Sequence, residues 1–211
     1  VDVLVNNAGV GGSGSVENAS MDFAKNLMET NYFGALRMMQ KVIPSMRSRR
    51  SGAIINVSSQ AGRRPFALMS HYCATKYALN GLSESMAHEL ARFKIRVTLI
   101  EPGTVITPIF GKGNAIPEDE ENYSILQGRM IRQVTKGLTE LGCEPEVIAK
   151  CMVDFVTTED PKLHYLLASD AVDNVDVYQK YGPETWVADG EILDNDEFFN
   201  VMKDRYGYEI G

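Results

Sequence analysis

Tyr72 and Lys76 stand four apart in His-Tyr-Cys-Ala-Thr-Lys, a run that opens a helical pattern. On a helix this spacing puts both on one face, one turn apart. An ammonium beside a phenol favours the phenolate, so the Tyr72 pKa is expected to fall from its ordinary value of about 10. A tyrosine tuned toward neutrality serves as a general acid or base. Ser59 stands thirteen positions upstream, just past the apolar run Ala53-Ile-Ile-Asn-Val57. A hydroxyl at a strand's carboxyl end sits where open α/β sheets bind ligands. Ser58 is the alternative serine, but strand alternation points it elsewhere. Taken alone, Tyr-x-x-x-Lys also describes a solvated surface pair of little energetic consequence.

Company changes the weighing. Asn6-Asn7-Ala8-Gly9 follows the apolar run Val1–Val5, and Asn31 lies in Thr-Asn-Tyr-Phe-Gly. Downstream, Glu101-Pro102-Gly103-Thr104-Val105-Ile106-Thr107 follows a third apolar run, with Pro102 thirty positions after Tyr72. In these motifs, their order and their spacing, the chain resembles the short-chain dehydrogenase/reductase family from Val1 to about Ala171. The resemblance implies hydride transfer between NAD or NADP and an alcohol or carbonyl carbon. It implies Asn31, Ser59, Tyr72 and Lys76 as catalytic residues. Tyr72 would exchange the hydroxyl proton, and Ser59 would hydrogen-bond the substrate oxygen. Lys76 would tune Tyr72 and bond the nicotinamide ribose, and Asn31 would hold a relay water. Asn7, Gly9, Pro102, Gly103, Val105 and Thr107 would border the cofactor together with Tyr72 and Lys76. A small lipophilic alcohol or carbonyl substrate and a homodimer or homotetramer are implied in the same way.

The elements that must position these residues are legible. Val1–Val5, Ala53–Val57, Arg96–Ile100 and Leu163–Ala168 read as short buried strands, and long helical patterns separate them. That alternation is an α/β class: a Rossmann-like, doubly wound parallel sheet. Ser20 reads as the N-cap of a helix from Asp22 that Pro44 closes. Asn31 falls inside this helix, where its amide is expected to hold a local kink. Right-handed crossovers put the Asn31 and Tyr72 helices on the same face of the sheet. Residues from about 105 to 141, with the acidic run Glu118–Glu121 and an amphipathic helix near Ile125–Val134, take the place of the family's substrate lid. A helix over Pro145–Val156 and a structural His164 on the last strand follow.

The family places a Gly-rich pyrophosphate turn before the stretch that begins this chain. Gly9, Gly11 and Gly14 fit G-x-G-x-x-G, but no helix opens at once and no acidic residue ends a second strand about 20 positions on. They are expected to form a strand-to-helix loop lining the site. The fold is therefore expected as an N-terminally truncated member, with weak dinucleotide affinity.

With 211 residues the chain has room for one sizeable core. No apolar run approaches the roughly 18 residues of a membrane helix. No signal peptide pattern opens the chain, and Cys73, Cys143 and Cys151 have neither metal-ligand nor disulfide spacing. A cytoplasmic protein with reduced thiols and no metal is expected. A pI near 5.1 without a basic, aromatic-interleaved stripe argues against nucleic acid. Arg63 and Arg64, in the loop after Ser59, could meet an anion or the substrate. Residues 172–211 form an acidic C-terminal extension beyond the catalytic part, 1–171. From Asp170 onward stand eleven acids and three bases in a chain of net charge −7. Tyr178, Tyr181, Trp186, Phe198, Phe199, Tyr206 and Tyr208 argue against disorder there, so one or two short docked helices are expected, the second near Asp194–Arg205. Two other readings stay open: a truncated, catalytically incompetent isoform or fragment, and a binding or scaffold protein acting through this tail.

Overall fold

The computed structural model describes residues 1–112, 114–115 and 122–207. The acidic run Glu118–Glu121 and Tyr208 lie outside them. Strands β1 (Val3–Asn6), β3 (Gly52–Val57), β4 (Ile95–Pro102) and β6 (His164–Leu167) form a parallel sheet in the order β1-β3-β4-β6. A two-residue strand β2 (Gly12–Ser13) pairs with β5 (Asn114–Ala115) beside it. The near-continuous burial of β3 and β4 is what a parallel sheet covered on both faces requires.

Alternation along β3 sorts the core into two layers. Ile54 faces one side, with Leu4 and Val97, and meets Met39, Met46, Leu79, Met86 and Leu90. Ala53 and Ile55 face the other, with Ile100, and meet Ile148, Cys151 and Phe155. The first layer is covered by α2 (Ala35–Arg49) and α3 (Ser70–Ala91), with α1 (Met21–Met28) packed beside α3, so the Asn31 and Tyr72 helices do share a face. The second is covered by α6 (Pro145–Thr157).

Ser20 caps α1 by accepting from the Phe23 N–H at 3.1 Å. A wide π turn, Glu29–Gly34, separates α1 from α2 and carries Asn31, so the expected kink is present. Pro44, expected to close the helix, lies inside α2, which runs to Arg49. Pro44 and Gln40 lie on the exposed side of the helix, where solvent can meet a carbonyl that a proline leaves without a donor. The helix ends instead where Arg50 turns left-handed, with φ 52°.

The tail holds the second expected helix, near Asp194–Arg205, and before it a helix longer than expected. Helix α7 spans Ser169–Asp189 and bends at Gly182, φ 83°, just before Pro183. Helix α8 (Asn195–Tyr206) is capped by Asp194, whose side chain accepts from the Glu197 N–H. Between β4 and α6 in the chain stand α4 (Ile109–Lys112) and α5 (Ser124–Lys136). Arg129 of α5 is buried and ties that helix to the tail. It donates to Asn195 Oδ1 and to the Ile192 carbonyl, and its guanidinium lies 3.9 Å from the Phe198 ring centroid. Among the described residues, no helix is long and apolar enough to cross a membrane.

Candidate active site

The carboxyl ends of β1, β3 and β4 open into a cavity of about 1250 Å³. Its lining includes Asn7, Gly9, Ser59, Tyr72, Lys76, Pro102, Gly103, Val105 and Thr107. Nine residues spread over a hundred positions thus meet at the sheet edge where parallel topology places ligand sites. Asn31, the tenth residue singled out from the sequence, is 2 % exposed and stands behind the wall. Its Oδ1 accepts from the Val10 N–H at 2.9 Å, and its Nδ2 donates to the Val10 carbonyl and to Thr75 Oγ1. The π turn aims this amide at the loop after β1 and pins it.

One face of α3 holds the end of β3 and the loop after it. Tyr72 makes a hydrogen-bonding contact with Ser59. Lys76 Nζ donates to the Val57 carbonyl at 3.0 Å. One turn further, Asn80 accepts from Ser58 Oγ at 2.6 Å and donates to the Gly62 carbonyl and to Glu101 Oε1. Ser58 is thereby buried in structure, whereas Ser59 Oγ accepts from the Ala61 N–H and reaches the Pro102 carbonyl at 3.4 Å. Gly62 is needed here, because a Cβ would stand 2.9 Å from both Asn80 Nδ2 and Ser58 Oγ.

The electrostatics differ from the sequence expectation. Burial pushes the Tyr72 phenol up to about 12, against a smaller opposing effect of Ser59. The same burial lowers Lys76 to about 8. The lysine nitrogen lies 5.6 Å from the Tyr72 ring centroid and is engaged with Val57. Desolvation therefore dominates at Tyr72, and the direction is upward rather than the fall expected from the neighbouring ammonium. Gly9 leaves space over these groups: a Cβ there would come within 3.5 Å of Asn31 Oδ1 and 3.8 Å of Lys76 Nζ. The Gly9–Gly14 loop leads into β2 rather than into a helix, so it is not a helix-opening phosphate turn.

Several lining residues were not singled out from the sequence. Gln60, Thr104, Asp170 and Asn174 form a buried polar wall. Trp186, Phe198 and Met202 of the tail close the cavity alongside Phe110, Leu126 and Met130. The aromatic content of the tail was the available signal, but it did not say which surface the rings meet. Arg63 and Arg64 diverge. Arg63 pairs with Glu101 and His164. Arg64 is 2 % exposed, lines the cavity and sits between the Phe66 and Trp186 rings at 4.5 and 4.7 Å. His164 is structural, held against Glu101 at 3.0 Å.

Comparison with known proteins agrees with this geometry. The short chain dehydrogenase family model matches residues 1–117. Retinol dehydrogenase 8 of Bos taurus is 36 % identical over 170 residues, covering 77 % of this chain and 54 % of the relative. The chain thus spans about half the length of that relative. A short-chain dehydrogenase structure from Streptomyces avermitilis superposes with a TM-score of 0.76 at 37 % identity, covering 85 % of this chain and 65 % of that one. A serine dehydrogenase complexed with NADP+ superposes at 0.63 with 26 % identity, covering 80 % and 64 %. With its parallel Rossmann-like sheet and this match over more than half its length, the chain belongs to the short-chain dehydrogenase family of oxidoreductases.

Proposed function

We propose that this protein interconverts an alcohol and a carbonyl compound using NAD or NADP, with Tyr72 as the general acid and base. One observation carries the reading: Ser59, Tyr72 and Lys76 line one cavity at the carboxyl ends of the parallel strands, together with Gly9 and Gly103. In reduction, Tyr72 gives its proton to the carbonyl oxygen as charge builds there, and its high pKa keeps that proton available at neutral pH. Ser59 donates to the same oxygen and steadies the growing charge. In oxidation the phenol must first lose its proton, so the oxidative rate rises with pH.

The nicotinamide, when bound, supplies the hydride chemistry. The open space beside Gly9 over Lys76 fits its ribose, with Asn7, Pro102, Gly103, Val105 and Thr107 along the same wall. Asn31 pins the loop that carries Gly9, and a water beside it would continue the lysine's proton path. The NADP+-bound relative supports a nicotinamide cofactor.

The rest of the cavity is walled by Phe66, Phe110, Met130, Trp186, Phe198 and Met202, which supports a lipophilic substrate. Residues 1–171 carry the catalytic groups and residues 172–211 an extension that completes the substrate wall. Half-exposed Phe33, Met38 and Tyr77 on the Asn31 and Tyr72 helices support a homodimer or homotetramer. The protein is cytoplasmic in this reading, which the three free thiols support. Turnover of alkyl alcohols with each nicotinamide, followed by nicotinamide absorbance, tests the reading. Absence of turnover with either cofactor across such a panel would refute it.

A further inference from the structure

Five side chains lining the cavity form one buried chain of hydrogen bonds. Arg64 Nη1 donates to Asn174 Oδ1 at 2.5 Å, and Asn174 Nδ2 donates to Gln60 Oε1 at 2.8 Å. Gln60 Nε2 donates to Asp170 Oδ2 at 3.1 Å. The same oxygen accepts from the Thr104 N–H at 2.8 Å and from Thr104 Oγ1 at 2.9 Å. None of the five is more than 8 % exposed.

The relay has a fixed direction. A guanidinium can only donate and a carboxylate can only accept, so the charged ends decide how both amides lie. The three stretches it joins are far apart in sequence. Gln60 and Arg64 follow Ser59, Thr104 belongs to the Pro102–Thr107 loop, and Asp170 and Asn174 form the first turns of α7. Gly103 permits the approach, since a Cβ there would fall inside the Asp170 carboxylate. Each of the five is paired within the relay, while Arg64 Nε and Asp170 Oδ1 have no hydrogen-bond partner among the described residues. In a buried network, one reversed member strands its neighbours.

We infer that this relay is a positioning element that locks the Ser59 loop to the Pro102–Thr107 loop through α7, with Gln60 as its joint. Its consequence for turnover rests on the oxidoreductase reading above; the lock itself does not. None of its members needs to touch the reacting atoms.

Gln60→Glu tests it with almost no change of shape. The variant places a second acceptor 3.1 Å from Asp170 Oδ2. Two carboxylates at that distance titrate as a pair, and the second proton leaves only at a raised pH. One shared proton restores the bond; its loss breaks the relay. The charged and titratable neighbours of the joint are Asp170, Arg64 through Asn174, and Cys143 near Asp170, which burial and that carboxylate keep as a thiol. Amide hydrogen exchange, corrected for intrinsic rates, is read at Thr104, which donates to Asp170, and at Ala61, which donates to Ser59 Oγ.

In Gln60→Glu both amides should match the parent at acid pH and exchange about tenfold faster at alkaline pH, the size of one lost hydrogen bond. The parent and Gln60→Glu/Asp170→Asn, which holds a single carboxylate, should show no such step. If the double variant does not fold, the step in Gln60→Glu against the parent decides. The kcat should fall through the same pH step while substrate KM changes little. A parent-like exchange profile overturns the lock, and an exchange step without a kcat step overturns its positioning role. A parent protein without turnover would refute the oxidoreductase reading, and exchange alone would still decide the lock.

Discussion

Lys76 spends its ammonium on the Val57 main-chain carbonyl, 3.0 Å away at the end of β3. The contact ties α3 to the strand that leads to Ser59. It also keeps a charge in a site only 5 % exposed.

That burial has a measurable cost. In the unfolded chain Lys76 stays protonated up to its ordinary 10.5, but in the folded chain only up to about 8. Below pH 8 the folded state carries the full penalty, about 3 kcal/mol for a shift of this size. Between about pH 8 and 10.5 the unfolded state binds the extra proton, so this contribution to stability rises with pH. Lys76→Met removes the charge and loses one hydrogen bond worth about 1 kcal/mol. It should therefore be more stable than the parent by about 1–2 kcal/mol at pH 7, with the gap closing above pH 8 and with activity lost. Urea unfolding at several pH values checks this; a destabilised variant would mean that the lysine is a net structural asset.

Asn80 carries a second prediction. Its Nδ2 faces Glu101 Oε1 at 2.7 Å and the Gly62 carbonyl at 3.1 Å, both acceptors. Asn80→Asp replaces the donor with a charge and should cost about 2–4 kcal/mol. Glu101→Gln added to it restores a donor at this contact and should recover part of that loss. A double variant no more stable than Asn80→Asp in urea unfolding would show that the contact is not the source of the cost.

The single tryptophan offers a direct view of the cavity. Trp186 lines it, beyond the Gly182 bend of α7. A lipophilic substrate should perturb Trp186 emission saturably, at concentrations near its KM. Trp186→Ala should open the wall and shift preference toward bulkier substrates. A substrate that turns over without changing the emission, together with an unshifted preference in Trp186→Ala, would place substrate binding away from the tail.

The uneven legibility of the sequence has physical causes. The strands were readable because a sheet covered on both faces demands continuous apolar runs such as Ala53–Val57. Tyr72, Lys76 and Ser59 were readable because spacing on one helix and position at one strand end are local facts. The kink at Asn31 came from the family resemblance, since an asparagine inside a helical stripe also reads as solvent-facing, and its hydrogen bonds to Val10 depend on where the loop after β1 returns. Gln60 meets Asp170 across 110 positions, and no local pattern announces such a pair. The divergence of Arg63 and Arg64 was hidden for the same reason, since each is placed by a different distant partner. The direction of the Tyr72 shift was misjudged because charge proximity is visible in a sequence and depth of burial is not.

The central claim is that Tyr72 transfers the proton, and one comparison tests it most directly. Tyr72→Phe keeps the ring and removes only the hydroxyl. Single-turnover rates of parent and variant are measured at saturating cofactor, with circular dichroism to confirm equal folding. A loss of about 10²–10⁴-fold is expected, the usual contribution of a positioned general acid. A variant rate equal to the parent's would contradict it.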